Sequence, residues 1–180
     1  TKRDIKNLAN TSPTISSALL KLYDSYIKLK DGESISSKGH TASFKPTPFE
    51  TVRKFLEASK NYFPSLEQAS LLIRTEAKIE DQSSVYYKLC DYLEKKLSIK
   101  VKVLPKSIME ELFSRNDQHR SRILISEALD LPEKTFQISS QIALIKFEDR
   151  IDQIISKSNF TDKDEKYLLK ITLANYFGTS

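Results

Sequence analysis

Few side chains in this 180-residue sequence are placed to do chemistry. Its two histidines, His40 and His119, lie far apart. Neither has a second ligand one helical turn away, so no zinc site is expected. Cys90 is the single cysteine. It excludes an internal disulfide framework, cannot hold an iron–sulfur cluster by itself, and suggests a reducing compartment. It falls in the helical pattern "SSVYYKLCDYLEKKL", where an inert, partly buried thiol is expected. The three glycines, Gly32, Gly39 and Gly178, are too few for a Gly-rich phosphate loop. No G-x-S-x-G and no Ser/His/Asp spacing marks a hydrolase. The net charge of +5 comes from lysines scattered among acids, which reads as a solvated surface in preference to a nucleic-acid face.

The elements that carry these residues are mostly helical. At 39% apolar and 29% charged the chain has an ordinary core and the surface of a soluble protein. No apolar run approaches the ~20 residues of a membrane span, and "TKRDIKNLAN" has no secretory hydrophobic region. Ser12 and Pro13 open a first helix, with Ile15, Leu19, Leu22, Tyr26 and Leu29 on one face to about Lys30. The polar stretch 31–46 reads as a linker. "TPFE" is a capping box: Thr47 caps, Pro48 takes the first position and Glu50 reaches back, opening a helix to about Lys60. A helix from Pro64 and another over 84–97 follow. "SIKVKVLP" alternates as a half-buried strand does, and a helical turn follows at 106–111. Residues 112–126 read as a hairpin turning at Asn116–His119. Pro132 opens one long helix to Lys157, striped by Phe136, Ala143, Phe147, Ile151 and Ile154. Thr161-x-x-Asp164 starts the last helix. The expected fold is α+β, mostly helical, with a small antiparallel sheet covered by two late helices.

Several motifs in this order resemble a known family. "LPEKTFQISSQIALIKFEDRI" resembles the helix of the IrrE-type metallopeptidase-like (zincin-like) domain, whose active members read F-x-L-A-H-E-L-x-H. "RNDQHRSRILISEALD" resembles its hairpin, and "LANYFG" its later E-A-N-x-F-A motif. "PFETVRKFLEASKNYFPSLEQAS" is similar to a P-[YH]-E-E-V-R-D-F-F-x-x-x-x-N-Y-[IF]-x-E-L-D-x-A segment of one branch, the short-chain fatty acyl transcriptional regulators of XRE type. "SPTISSALLKLYDSY" resembles the helix between their DNA-binding and sensor domains. The resemblance spans residues 12 to 178. It implies that the metal site is degenerate. Ser140 stands at the first His position, Gln141 at the general-base Glu, Leu144 at the second His and Leu173 at the third-ligand Glu. None of the four is a metal donor of that kind, so no peptidase activity and no metal are expected. Leu144 and Leu173 are expected to fill the old metal position as core.

In place of catalysis the resemblance implies a ligand: a short-chain acyl-CoA thioester such as propionyl-CoA. Such a ligand needs Arg or Lys for its phosphates, an aromatic or aliphatic platform, and a small apolar end. The candidates are Arg53; Asn61, Tyr62 and Phe63 at a helix break; Arg115, Arg120 and Arg122 around the hairpin; and Tyr176. Each also has a plain structural reading. Arg53 pairs with Glu50 or Glu57, Asn61–Phe63 form a helix C-cap with packed aromatics, the hairpin arginines are a solvated face, and Tyr176 is core.

Members of the family carry an N-terminal helix-turn-helix and a cysteine-rich C-terminal region. Nothing in 1–50 supplies the first, and the chain stops at "GTS" where the second should begin. The expectation is therefore a piece of a longer bacterial, cytoplasmic regulator, with 1–46 as a helical linker and 47–180 as a sensor domain. It is non-enzymatic, needs no cofactor of its own, forms a homo-oligomer and meets no membrane. It reaches DNA through the absent helix-turn-helix. Two rivals stand beside it: a structural or protein-interaction module with no small-molecule ligand, and a hydrolase using other residues.

Overall fold

A computed structural model describes residues 47–109 and 112–180, together with Leu22 and Tyr26. The chain divides into two units, Thr1–Lys45 and Pro46–Ser180. In the first, Leu22 and Tyr26 are helical and exposed. The remainder of the expected first helix, and the linker 31–46, lie outside the described residues.

In the second unit three helices come first. Helix α1 (Pro48–Ala58) begins with the expected capping box: Glu50 N–H donates to Thr47 Oγ1, and Thr47 N–H donates to the Glu50 carboxylate. It ends where Lys60 and Asn61 take left-handed φ values of 54° and 50°. Pro64 then opens α2 (Pro64–Glu76), which buries Leu66, Ala69 and Ile73. Helix α3 (Val85–Leu97) buries Leu89, Tyr92 and Leu93, and Ser98 turns the chain out at φ 56°. On α3, burial pushes the Cys90 thiol pKa up, which keeps it protonated and unreactive at neutral pH.

The sheet follows, built from β1 (Lys100–Leu104), β2 (Ser114–Asp117) and β3 (Arg122–Ser126), with a short helix α4 (Lys106–Met109) after β1. Its order is β1-β3-β2. β2 and β3 form the expected antiparallel hairpin, clamped by an Arg122–Asp117 ion pair at 2.8 Å. The turn sits one step later than expected, at Gln118–Arg120, with Ser121 left-handed. β1 departs from expectation. It pairs with β3 in parallel, Lys100 opposite Arg122, so the sheet is mixed and not antiparallel. The chain crosses at α4 to the far edge before returning, which leaves β3 central. The burial follows this order. Ile123, Leu124 and Ile125 are an unbroken buried run, as in a strand covered on both faces, whereas Lys100 and Lys102 of β1 stay exposed.

Three late helices close the core. Asp130 caps α5 (Leu131–Lys146) in a second capping box with Glu133. The expected single helix to Lys157 is broken at Phe147, and α6 (Glu148–Ser156) continues it at a new angle. The bend seats the Phe147 ring 5.5 Å from Phe177, and Lys146 and Arg150 flank its face. Helix α7 (Lys163–Thr179) is capped by Asp162, one residue later than expected. α5 packs along α7, α3 and the sheet. Ile138, Ile142, Ile151, Leu169 and Leu173 are fully buried there.

Candidate functional site

The four degenerate positions do not share one environment. Leu173 on α7 is 0% exposed and is core, as expected. Leu144 on α5 is not. It is half-buried and, with Gln141, lines an open groove of about 550 Å³ beside Asn116, Gln118 and Ile171. It departs from the expected core role because, among the described residues, no element covers α5 on that side. Gln141 Nε2 donates to Ser114 Oγ at 3.4 Å, and Ser114 donates in turn to Gln137 Oε1 at 2.6 Å, which ties α5 to β2. Ser140 is buried toward α7.

A zinc ion does not fit this set. A hydroxyl, an amide and two leucines offer neither imidazole nor carboxylate. Among the described residues no three His, Cys, Asp or Glu side chains are grouped to hold a metal.

The sequence-derived ligand candidates do not converge either. Arg53 is an exposed helix residue 3.7 Å from Glu57, the surface pair that was its plain reading. Asn61 is exposed at a left-handed helix end, and Tyr62 is 58% exposed. Phe63 and Tyr176 do come together, edge to face at 5.2 Å, but as packing. The Tyr176 hydroxyl donates to Glu67 and accepts from Phe63 N–H. Arg115 and Arg120 are exposed, and Arg122 is held by Asp117. None of the eight lines the groove or the cleft described next.

That cleft holds about 460 Å³ between α2, α3, the start of α5 and the end of α7. Ile73, Ile79, Leu89, Phe136 and Phe177 give it an apolar floor. Ser70, Thr135, Ser139 and Thr179 add hydroxyls, and Arg74 stands among them. Arg74 enters no ion pair among the described residues. Tyr86 also lines it; burial, then the neighbouring Cys90, push its phenol to about 12, so it stays a neutral donor. Its volume falls within the range of small-molecule sites, and it is open to solvent.

Behind the cleft, Lys146 donates to the Glu76 carboxylate and to the Tyr92 hydroxyl, and Tyr92 donates to Glu76 at 2.7 Å. The hydrogen bonds from Lys146 and then Tyr92 hold the Glu76 carboxyl below its ordinary range. This cluster joins α2, α3 and α5 next to the Phe147 bend.

Sequence reasoning missed Arg74, Tyr86, Thr135 and Ser139 because each looks like ordinary helix surface in its own segment. One signal was available. Gly178 is the single glycine after residue 39, and it sits inside a helix, where glycine usually marks a close approach.

Helix α5, which backs the mixed three-stranded sheet, carries three of the four degenerate positions, and α7 carries the fourth. Residues 94–178 match the IrrE N-terminal-like domain of the M78 peptidases. Across more of its length the chain is a relative of bacterial helix-turn-helix transcriptional regulators. It is 26% identical over 133 residues, 74% of this chain, to the HTH-type transcriptional regulator PrpR of Mycobacterium tuberculosis. It is 22% identical over 180 residues, 97% of this chain, to the propionyl-CoA carboxylase regulator of Cereibacter sphaeroides. A solved Mycobacterium tuberculosis transcriptional regulator superposes with a TM-score of 0.69 at 25% identity, over 74% of this chain and 40% of that one. The chain spans 27% of the first relative's length and 36% of the second's.

Proposed function

We propose that residues 47–180 are the ligand-sensing domain of a cytoplasmic transcription regulator, non-enzymatic, whose effector is a short-chain acyl-CoA seated in the cleft between α2, α3, α5 and α7. The observation that carries this is the cleft itself: an apolar floor that suits a short acyl chain, with an arginine that has no acidic partner among the described residues. Arg74 suits a phosphate oxygen of the CoA end, and the aromatic floor suits the acyl end. The replaced metal donors support a binding role over a hydrolytic one. The name of the Cereibacter relative supports the choice of thioester. Binding acts by shifting a population between two packings of the α5–α7 pair, and 1–46 passes that shift to the DNA-binding part.

Thermal melts with acyl-CoAs of graded length test the reading. At a free concentration 100 times the dissociation constant, propionyl-CoA stabilises by about 2.7 kcal/mol. In a domain of this size that is a rise of roughly 5–10 °C. Palmitoyl-CoA is too long for the floor and gives none, and free propionate, lacking the phosphates, gives none. Arg74→Ala weakens binding while leaving the unliganded melt unchanged. A melt unmoved by every acyl-CoA refutes the sensor and leaves the interaction module.

A further inference from the structure

We propose that the Ser140 hydroxyl is the hydrogen-bond donor to the acyl carbonyl of the cleft's ligand, an inference that rests on the acyl-CoA reading above. Ser140 is 5% exposed, and its Oγ has no hydrogen-bond partner among the described residues. Hydroxyls inside helices ordinarily fall back on the carbonyl one turn earlier. Thr135 does so with Leu131, and Thr172 with Leu168, both at 2.8 Å. Ser140 does not. A buried hydroxyl left unpaired is destabilising, whereas alanine at the same place would cost nothing. The residue therefore works against the stability of the unliganded domain, as groups reserved for a ligand do.

Ser140 does not itself line the cleft; its neighbours put it one layer behind the wall. Gly178 and Phe136 both line the cleft. A Cβ built on Gly178 would lie 2.6 Å from Ser140 Oγ and 3.1 Å from the Phe136 ring. The space a side chain would take at 178 thus belongs to the serine oxygen. Any larger residue there would press that oxygen away from the cleft. The Phe136 ring is only partly buried. For the oxygen to reach the cleft this ring must turn aside, which needs no movement of either helix backbone.

The chemistry selects the acceptor. A hydroxyl offers one hydrogen, and the side chains on this stretch of wall, Thr135, Phe136, Ser139 and Phe177, carry no charge. An anion has nothing to neutralise it here, so a neutral carbonyl oxygen is the matching group. In an acyl thioester that oxygen sits at the junction between the apolar tail and the polar remainder. Arg74 is then free to meet the phosphate end.

Two probes and two substitutions test the proposal on the 180-residue chain. The probes are propionyl-CoA and S-propyl-CoA, the thioether with a methylene in place of the carbonyl. Titration calorimetry should show the wild type preferring the thioester by about ten-fold. Ser140→Ala should bind both alike, with its thioether affinity unchanged and its unliganded melting temperature equal or higher. Ser140→Cys, which keeps a small polarisable group but donates poorly, should lose the preference too and serves if the alanine variant misfolds. Equal binding of both probes by the wild type overturns the inference, as does a preference that survives in either variant. A wild type that binds neither probe overturns the acyl-CoA reading, and this inference with it.

Discussion

The resemblance assigns Leu173 and Leu144 to two metal-ligand positions, and their packing differs enough to be measured. Leu173→Ala removes roughly three methylene equivalents from a side chain with no exposure. At about 0.8 kcal/mol each, the lost transfer energy is about 2.4 kcal/mol. The cavity left between α5 and α7 adds to it, so the total falls at about 3–4 kcal/mol. Leu144→Ala takes the same atoms from a half-buried wall of an open groove. About half the transfer energy is lost and no closed cavity forms, which gives about 1 kcal/mol. Urea unfolding of both variants is the assay, with the shift in midpoint read at constant slope. In melting temperature the pair should separate by roughly 4–11 °C. If the two substitutions cost the same within about 0.5 kcal/mol, Leu144 is packed as tightly as Leu173, and the groove beside the old metal position is closed in solution.

Three further outcomes are expected. Glu76 has a depressed pKa in the folded state, so its ion pair contributes fully above about pH 4.5 and is lost as pH falls through the folded value. The gap in melting temperature between wild type and Glu76→Gln should thus be present at pH 7 and shrink below pH 4. It amounts to less than about 1 kcal/mol, because the pair is partly exposed; a gap independent of pH would show that the ion pair is not its source. Gly178→Ala should cost about 1–3 kcal/mol through its clash with Ser140 Oγ, and adding Ser140→Ala should recover part of that in a double-mutant cycle. Additive costs would place the clash elsewhere. Protein incubated with zinc and desalted should retain far less than one equivalent by elemental analysis, and stoichiometric retention abolished by changing residues around Ser140 and Gln141 would contradict the degenerate site.

The helices were legible because their apolar residues recur at helical spacing and their ends carry local marks. Thr47, Pro48 and Glu50 cap α1 as written in the sequence. The parallel join of β1 to β3 was not legible, since period-two alternation reports a strand and says nothing about its partner. The unbroken Ile123–Ile125 run was the one hint that β3 is central. The bend at Phe147 carries no Pro or Gly, and the apolar stripe runs straight through it, so only the tertiary contact with Phe177 decides it. For the site, local motifs drew attention to Arg53 and to the hairpin arginines. The cleft is instead assembled from four separate segments, and no one of them looks unusual alone. The packing of the positions that the resemblance assigns to metal ligands was not legible, because burial of Leu144 depends on which elements stand over α5.

The mixed sheet also orders events in time. Arg122 faces Asp117 across a tight turn and Lys100 across the whole of α4 and β2. Closing the first pair is a local event of about 1–10 μs, while the second must wait for a longer loop to find its end. The β2–β3 hairpin is therefore expected to form first, with β1, whose Lys100 and Lys102 stay in solvent, joining later. In the native protein the same asymmetry runs backwards. β1 is the strand that detaches first, and its amides should trade hydrogen for deuterium well before those of Ile123–Ile125, so the first opening of this domain exposes one flank of β3 while the hairpin and its helical backing stay closed.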